Sequence, residues 1–315
     1  MDLTLSNIEG ISPFIISDTG ESVSVTAQNL QENPILLTKV IKKGSTKVGY
    51  LVYNAFRYNF HKELNDAFGE FAAQGVEELV IDLRYNGGGA LISSALLASF
   101  IAGQDESRIF ASLNFNEKQK DNNQLFTFLE EYPVWDRNGN FVDTFDNMNQ
   151  LSLDRLYVLT SNNTASASEA LINGLSVFMD VIVIGQQTVG KDEGSVTIYD
   201  SPPDFDSKED ANPGHMRALQ PIVFKIYNER MENFPYGFSP LEEIREIDYL
   251  TDLPPLGAEN EPLLSKALEL ITGQDLPAMV HKVKLEGGEI YKESLTLRPF
   301  GSDMYLLPDE LGSKK

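Results

Sequence analysis

The sequence predicts an α/β protein, and three observations carry that expectation. The apolar run Leu79-Val80-Ile81-Asp82-Leu83 leads through Asn86-Gly87-Gly88-Gly89 into the apolar segment 90–102, the pattern of a buried strand, a glycine turn and a packed helix. A second unit, Leu156–Leu159, Thr164–Leu175 and Val181–Gly185, reads strand, helix, strand. The 315 residues are 42% hydrophobic and 23% charged, an ordinary globular composition able to bury a sizeable core.

Taken in order, residues 1–35 read as the remnant of an upstream module and a linker. Asp2-Leu3-Thr4-Leu5 alternates like a last strand, and a Ser/Thr/Asn/Gly-rich stretch of little periodicity follows. Leu36–Ile41 and Val48–Tyr53 flank a Lys-Lys-Gly-Ser turn, so a hairpin is expected. Between His61 and Ala73, the residues Leu64, Ala67, Phe68 and Phe71 fall on one face of a helix. Asn138-Gly139, between Val134-Trp135 and Phe141-Val142, predicts a two-residue hairpin turn. A calcium loop at Asp136–Asn140 fails, because its glycine stands at position four and position twelve is Asn147. Val196–Tyr199 and Ile222–Tyr227 read as strands, and Leu264, Ala267, Leu268 and Ile271 mark a late helix. Residues 276–315 read as a C-terminal extension with short strands.

Composition excludes several chemistries. There are 25 Lys+Arg against 47 Asp+Glu, a net charge of −22. That argues against a nucleic-acid partner, since phosphate contacts need clustered cations. With no cysteine there is no disulfide, thiol nucleophile or Cys-type metal site, and with only His61, His215 and His281 a multi-His metal site is not expected. No stretch reaches the ~18 apolar residues of a membrane span. No signal peptide opens the chain, which leaves a cytoplasmic protein or a trimmed piece of an exported one.

Three segments can carry chemistry. Asn86-Gly87-Gly88-Gly89 is either a tight turn or a source of unobstructed N–H groups for a developing oxyanion. In Thr164-Ala165-Ser166-Ala167-Ser168-Glu169, Ser166 and Glu169 have capping-box spacing. The alternative is a serine hydroxyl at a helix start, where the Ala167 N–H and the helix dipole favour negative charge. Gly185-x-x-x-x-Gly190-Lys191 nearly matches a phosphate loop. Asp192 stands where Ser or Thr should hold magnesium, and strand-like residues follow, so the nucleotide reading fails. Lys191 has another use: a lysine in a poorly solvated pocket loses its proton readily and can serve as a general base. A serine–lysine pair is one variant of the nucleophile–base arrangement.

Together, these three segments resemble the tail-specific, or C-terminal processing, serine peptidases in order, spacing and strand context. The resemblance covers residues ~36–275, which it marks as the peptidase catalytic domain (36–275). It implies an α/β core of mixed sheet and flanking helices, related to the crotonase-like (ClpP/crotonase-type) fold. It implies Ser166 as nucleophile, Lys191 as general base, and Ala167 and Gly88 N–H as the oxyanion hole, with no metal and no organic cofactor. Ser168 is the rival serine. The family often has a glutamine four residues after the lysine. Here that position is Ser195, or Thr197 if Asp192-Glu193 is an insertion, and Glu193 could instead hold Lys191 charged. Members usually carry a PDZ module ahead of the core, and no complete one is found here. Asn233–Pro240 and Pro255–Ala258 look like the exported, lipoprotein-borne bacterial branch, which implies a periplasmic or cell-surface location for the full-length protein.

Two other readings stay open at this level. The fold could be kept with catalysis lost, leaving a peptide- or ligand-binding protein. The peptidase could use His215 as base, although His215 lies in a Pro-Gly turn.

Overall fold

The computed structural model describes residues 2–9, 15–24, 26, 31–274 and 304–306. The chain forms two compact units, Met1–Asn33 and Pro34–Lys315. In the first, β1 (Asp2–Glu9) pairs antiparallel with β2 (Ile15–Ser24). The stretch expected to be linker thus holds a second strand. Its β-branched Ile15, Ile16, Thr19 and Val23 suit a pleated surface without forming a clear alternation.

The second unit is built on a six-stranded sheet. Its antiparallel edge is β3 (Ile35–Lys43), beside β4 (Thr46–Tyr53). After α1 (His61–Gln74), β5 (Glu78–Asp82) lies parallel to β4. The expected helix after the glycine turn is α2 (Leu91–Ala102), and β6 (Ile109–Phe115) and β7 (Gln124–Thr127) follow it into a second sheet. A separate hairpin comprises β8 (Tyr132–Trp135) and β9 (Phe141–Phe145). Next come β10 (Arg155–Thr160), α3 (Ala167–Leu175) and β11 (Asp180–Gly185), with β10 parallel to both β5 and β11. The short β12 (Glu193–Ser195) and β13 (Ile222–Tyr227) join the second sheet, while β14 (Glu242–Glu243) extends the first. The chain continues into α4 (Pro262–Thr272) and, further on, β15 (Met304–Tyr305) beside β12.

Alternation along the central strands explains why both faces of the first sheet are covered. Leu51, Leu79, Ile81, Leu156 and Val158 share one core cluster with α1, α2 and α3. Tyr50, Val52, Val80, Tyr157 and Leu159 share another with Leu263, Leu264, Ala267 and Leu268 of α4. Every residue of α2 is buried, as an all-round apolar helix must be. Its three serines are satisfied: Ser93 bonds His61 Nε2 at 2.7 Å, Ser94 donates to Ala167 O at 2.8 Å, and Ser99 donates to Ala95 O at 2.8 Å. His61 also bonds Pro133 O, and burial pushes its pKa down to about 4, so it serves the core as a neutral ring.

Three expectations shift in detail. The β8–β9 turn is a five-residue loop, because Asp136 Oδ1 accepts the N–H groups of both Asn138 and Asn140 and holds the wider turn closed. The strand expected at Val196–Tyr199 forms earlier, at Glu193–Ser195. Gly194 admits the Phe224 ring of β13, which a Cβ there would meet at 2.1 Å. Helix α3 starts at Ala167 instead of Thr164, because Ser166 has φ 65°. Of the C-terminal extension, only Met304–Leu306 lies within the described residues.

The end of β5 is stapled to α4 by buried charge. Arg84, 1% exposed, pairs two nitrogens with the two oxygens of Glu261 (2.7 and 3.0 Å) and donates through Nε to Asp82 Oδ1 (3.0 Å). Tyr50 donates to Asp82 Oδ2 at 2.7 Å, and Glu261 caps α4 by accepting from Leu264 N. Removing the guanidinium leaves two buried carboxylates unpaired. Arg84→Ala is therefore expected to cost about 3–5 kcal/mol, read as a lower urea midpoint, and an unchanged midpoint would contradict the assignment.

Candidate active site

Three chain segments converge at the C-terminal ends of β5, β10 and β11. The first is the turn after β5. Asn86 is fully buried; its amide Nδ2 donates to Tyr53 O (2.9 Å) and its Oδ1 accepts from Gly88 N (2.9 Å). Phe56 N donates to Gly88 O and Ala90 N donates to Phe56 O, both at 2.9 Å, so the turn is laced to the segment that follows β4. Gly88 has φ 112°, and a Cβ there would lie 2.8 Å from the Ser166 Cβ and 3.0 Å from Ala167 N. Only glycine lets this backbone approach so closely.

The second segment follows β10. Thr164 Oγ1 donates to Leu83 O at 2.8 Å, and Ser161 Oγ donates to Arg84 O, which fastens the loop to the glycine turn. Ser166 is fully buried, with φ 65° and ψ −116°. That conformation costs a non-glycine residue on the order of 1–3 kcal/mol and persists only where its surroundings enforce it. It aims the residue at the head of α3. Ser166 Oγ has no hydrogen-bond partner among the described residues. Neither is an intramolecular acceptor found among them for Ala167 N, the first amide of the helix. The rival Ser168 is occupied structurally, donating to Asn86 O at 3.1 Å.

The third segment is the loop after β11, and one side chain joins it to the second. Glu169 makes the carboxylate half of a capping box, accepting from Ser166 N, while Ser166 Oγ makes no side-chain cap bond. The Glu169 carboxylate does more than cap. Oε2 accepts from both Ser166 N and Lys191 N at 2.8 Å, and Oε1 accepts from Thr188 Oγ1 and Gly190 N at 2.6 Å. The backbones of Ser166 and Lys191 thus meet on a single oxygen. Burial pushes the Glu169 pKa up, while its donors pull it down. From outside, Thr188 Oγ1 accepts Phe238 N, and Gly190 (φ 87°) abuts the Pro235–Gly237 backbone.

Lys191 is half-buried, and that burial pushes its pKa below the usual lysine value; the charge on Glu193 opposes the shift. Asp192 is turned elsewhere, accepting from Asn233 Nδ2 at 2.7 Å and facing Lys225 Nζ at 3.6 Å. Glu193 also faces Lys225 Nζ at 3.6 Å. Ser195 donates to Met304 O and accepts from Gln220 Nε2, both at 3.0 Å. Thr197 lies past the end of β12, half-buried. His215 is exposed in the 200–219 loop, 3.3 Å from Asp200, with no bond to Ser166 among the described residues. The sequence reads Asn86 only as part of the glycine turn and gives Thr188 and Gln220 no role of their own. It singles out Glu169, but only as a cap partner. A carboxylate three residues into a helix, facing a Thr-Val-Gly-Lys loop, was the available signal.

Glu169 accepts four hydrogen bonds and donates none. A glutamine there would point an NH2 at two donors. Glu169→Gln is expected to lower stability by about 1–3 kcal/mol in urea unfolding, and a neutral substitution would refute the hub.

Comparison with known proteins adds the following. Residues 47–200 match the family described as Peptidase family S41. The Carboxyl-terminal-processing protease of a Picosynechococcus species is 29% identical over 176 residues, 56% of this chain and 36% of that protein. The chloroplastic C-terminal processing peptidase of Tetradesmus obliquus is 26% identical over 179 residues, 54% of this chain and 34% of that protein. The chain spans about a third of the length of these relatives. A solved S41-type structure from Bacteroides fragilis superposes with a TM-score of 0.66 at 28% identity, covering 86% of this chain and 66% of that one. The fold is thus the mixed α/β, ClpP/crotonase-like core of that structure.

Proposed function

Residues 47–200 are a peptidase family S41 segment, and on that premise we propose that the chain is a serine endopeptidase. It cleaves unfolded or tail-exposed polypeptides by acyl transfer with Ser166 and Lys191. The observation that carries this reading is the Glu169 carboxylate, whose one oxygen holds the backbone N–H of both residues.

Each step has a residue suited to it. Lys191, kept from full hydration, gives up its proton more readily than a surface lysine and takes the one from Ser166 Oγ as that oxygen attacks the carbonyl carbon. The C–O bond forms as the carbonyl π pair moves to oxygen, and Ala167 N–H stabilises the resulting oxyanion at the positive end of α3. The oxyanion competes with Asn86 Oδ1 for the Gly88 N–H, which makes Gly88 the second donor. Lys191 returns the proton to the leaving amine, and water then repeats the sequence on the acyl-enzyme. A buried Ser166 Oγ without a partner among the described residues suits this role, since no bond to them must break before attack. The polypeptide is the substrate partner, an upstream PDZ module its presenter, and the full-length protein sits in the periplasm or on the cell surface.

Cleavage of β-casein tests the reading. Ser166→Ala and Lys191→Ala should abolish turnover, while folded Ser168→Ala retains it. Activity that survives Ser166→Ala would refute the nucleophile. The pH profile gives an independent check. Neutral Lys191 is the active form, so kcat/KM should rise with pH through a pKa below that of an ordinary lysine. Glu193 favours the charged form, so Glu193→Gln should move this limb to lower pH. An unmoved or raised limb would exclude Lys191 as the titrating base.

A further inference from the structure

Strand β15 lies about 110 residues beyond Lys191 in sequence, yet it touches both halves of the site. On one side it runs parallel to β12, with Met304 beside Gly194 and Tyr305 beside Ser195. Leu306 N donates to Ser195 O at 3.3 Å, and Ser195 Oγ donates to Met304 O at 3.0 Å. On the other side, Tyr305 forms a parallel bridge with Ala90, and its N–H donates to Gly89 O at 3.3 Å. Gly89 follows Gly88, the residue packed on Ser166, and Ser195 lies four positions after Lys191 on the strand that leaves it. Met304 and Leu306 are buried in the same core cluster as Ala167 and Val196. The turn is thus held by Phe56 through Gly88 O and Ala90 N, and by Tyr305 through Gly89 O.

We propose that Met304–Leu306 is a positioning element of the active site: it ties the glycine turn to the strand behind Lys191 and so sets how the oxyanion donors face the nucleophile–base pair. The proposal rests on the peptidase reading for its effect on turnover, but not for its effect on the turn. Tyr305 reaches the turn through its backbone N–H, and its side chain packs against the cluster of Ala90, Ile92 and Trp135. The two bonds at 3.3 Å are long ones, which makes the expected effect graded.

Tyr305→Pro deletes the N–H that Gly89 accepts, and Tyr305→Phe keeps it. On an unfolded polypeptide substrate, Tyr305→Pro should lower kcat on the order of ten- to a hundred-fold with KM nearly unchanged, because geometry and not binding is lost. Tyr305→Phe should restore turnover to within about two-fold on the same argument. Hydrogen exchange of the Gly88–Ala90 amides should quicken in Tyr305→Pro and stay as in the parent in Tyr305→Phe. Parental or raised turnover in Tyr305→Pro would overturn the proposal, the second because the tail would then be covering the site. Equal losses in both variants would overturn it too, by assigning the effect to the phenol hydroxyl that both lack. If Tyr305→Pro does not fold, Ser195→Ala, which deletes the bond to Met304 O, is read by the same two measurements. If the parent protein shows no peptidase activity, the peptidase reading fails and exchange alone decides: faster exchange sustains the clamp, and unchanged exchange refutes it.

Discussion

The candidate site depends on one buried carboxylate. Glu169 is fully buried and accepts from two backbone N–H groups through one oxygen and from a backbone N–H and a hydroxyl through the other. An isolated carboxylate in such a place would protonate or destabilise the fold, and four donors offset that cost. The return is geometric. Ser166 starts a helix after β10 and Lys191 ends a loop after β11, and the parallel pairing of those strands brings the two chain ends near each other without fixing either. The shared oxygen fixes both.

Around this point the structure spends stability on shape. Ser166 occupies a backbone region that costs on the order of 1–3 kcal/mol, and its hydroxyl is buried without a partner among the described residues. Gly88 and Gly190 sit at φ 112° and 87° against backbone that leaves no room for a Cβ. The offsetting interactions lie one layer out: the Arg84–Glu261–Asp82 cluster beneath the turn, Thr164 bonded to Leu83 O, and the Asn233–Ser239 segment bracing the lysine loop. Asn233 and Lys225 also draw Asp192 away, which leaves Glu193 as the carboxylate that opposes the lowered pKa of Lys191.

Much of this was legible in the sequence, for identifiable reasons. The central strands and α1, α2 and α4 declare themselves through apolar runs and 3.6-residue spacing, since burial on both faces of a sheet leaves a strong local mark. Ser166, Lys191 and the glycine turn were legible because their segments recur in one order and spacing. Glu169 was visible, but only its local role was, since the loop it grips lies 19 to 22 residues away. Asn86 read as a turn residue, while in the fold its side chain bridges Tyr53 and Gly88. The strand at Glu193–Ser195 was missed because Gly194 looks like a breaker, and it is a strand residue only because Phe224 passes over it. The three hydroxyls of α2 look like interruptions, and the partners they find outside the helix, His61 Nε2, Ala167 O and Leu129 N, are invisible to periodicity. What was lost is, in each case, a contact between residues distant in sequence.

The central claim is that this geometry makes Ser166 a nucleophile whose reactivity depends on Lys191. Mapping of a fluorophosphonate adduct by mass spectrometry tests it most directly, because it reads the bond-forming atom without needing the natural substrate. The account predicts one adduct, on Ser166, in the folded parent protein and none in folded Lys191→Ala. An adduct on Ser168, or no adduct on a folded parent protein, would contradict it.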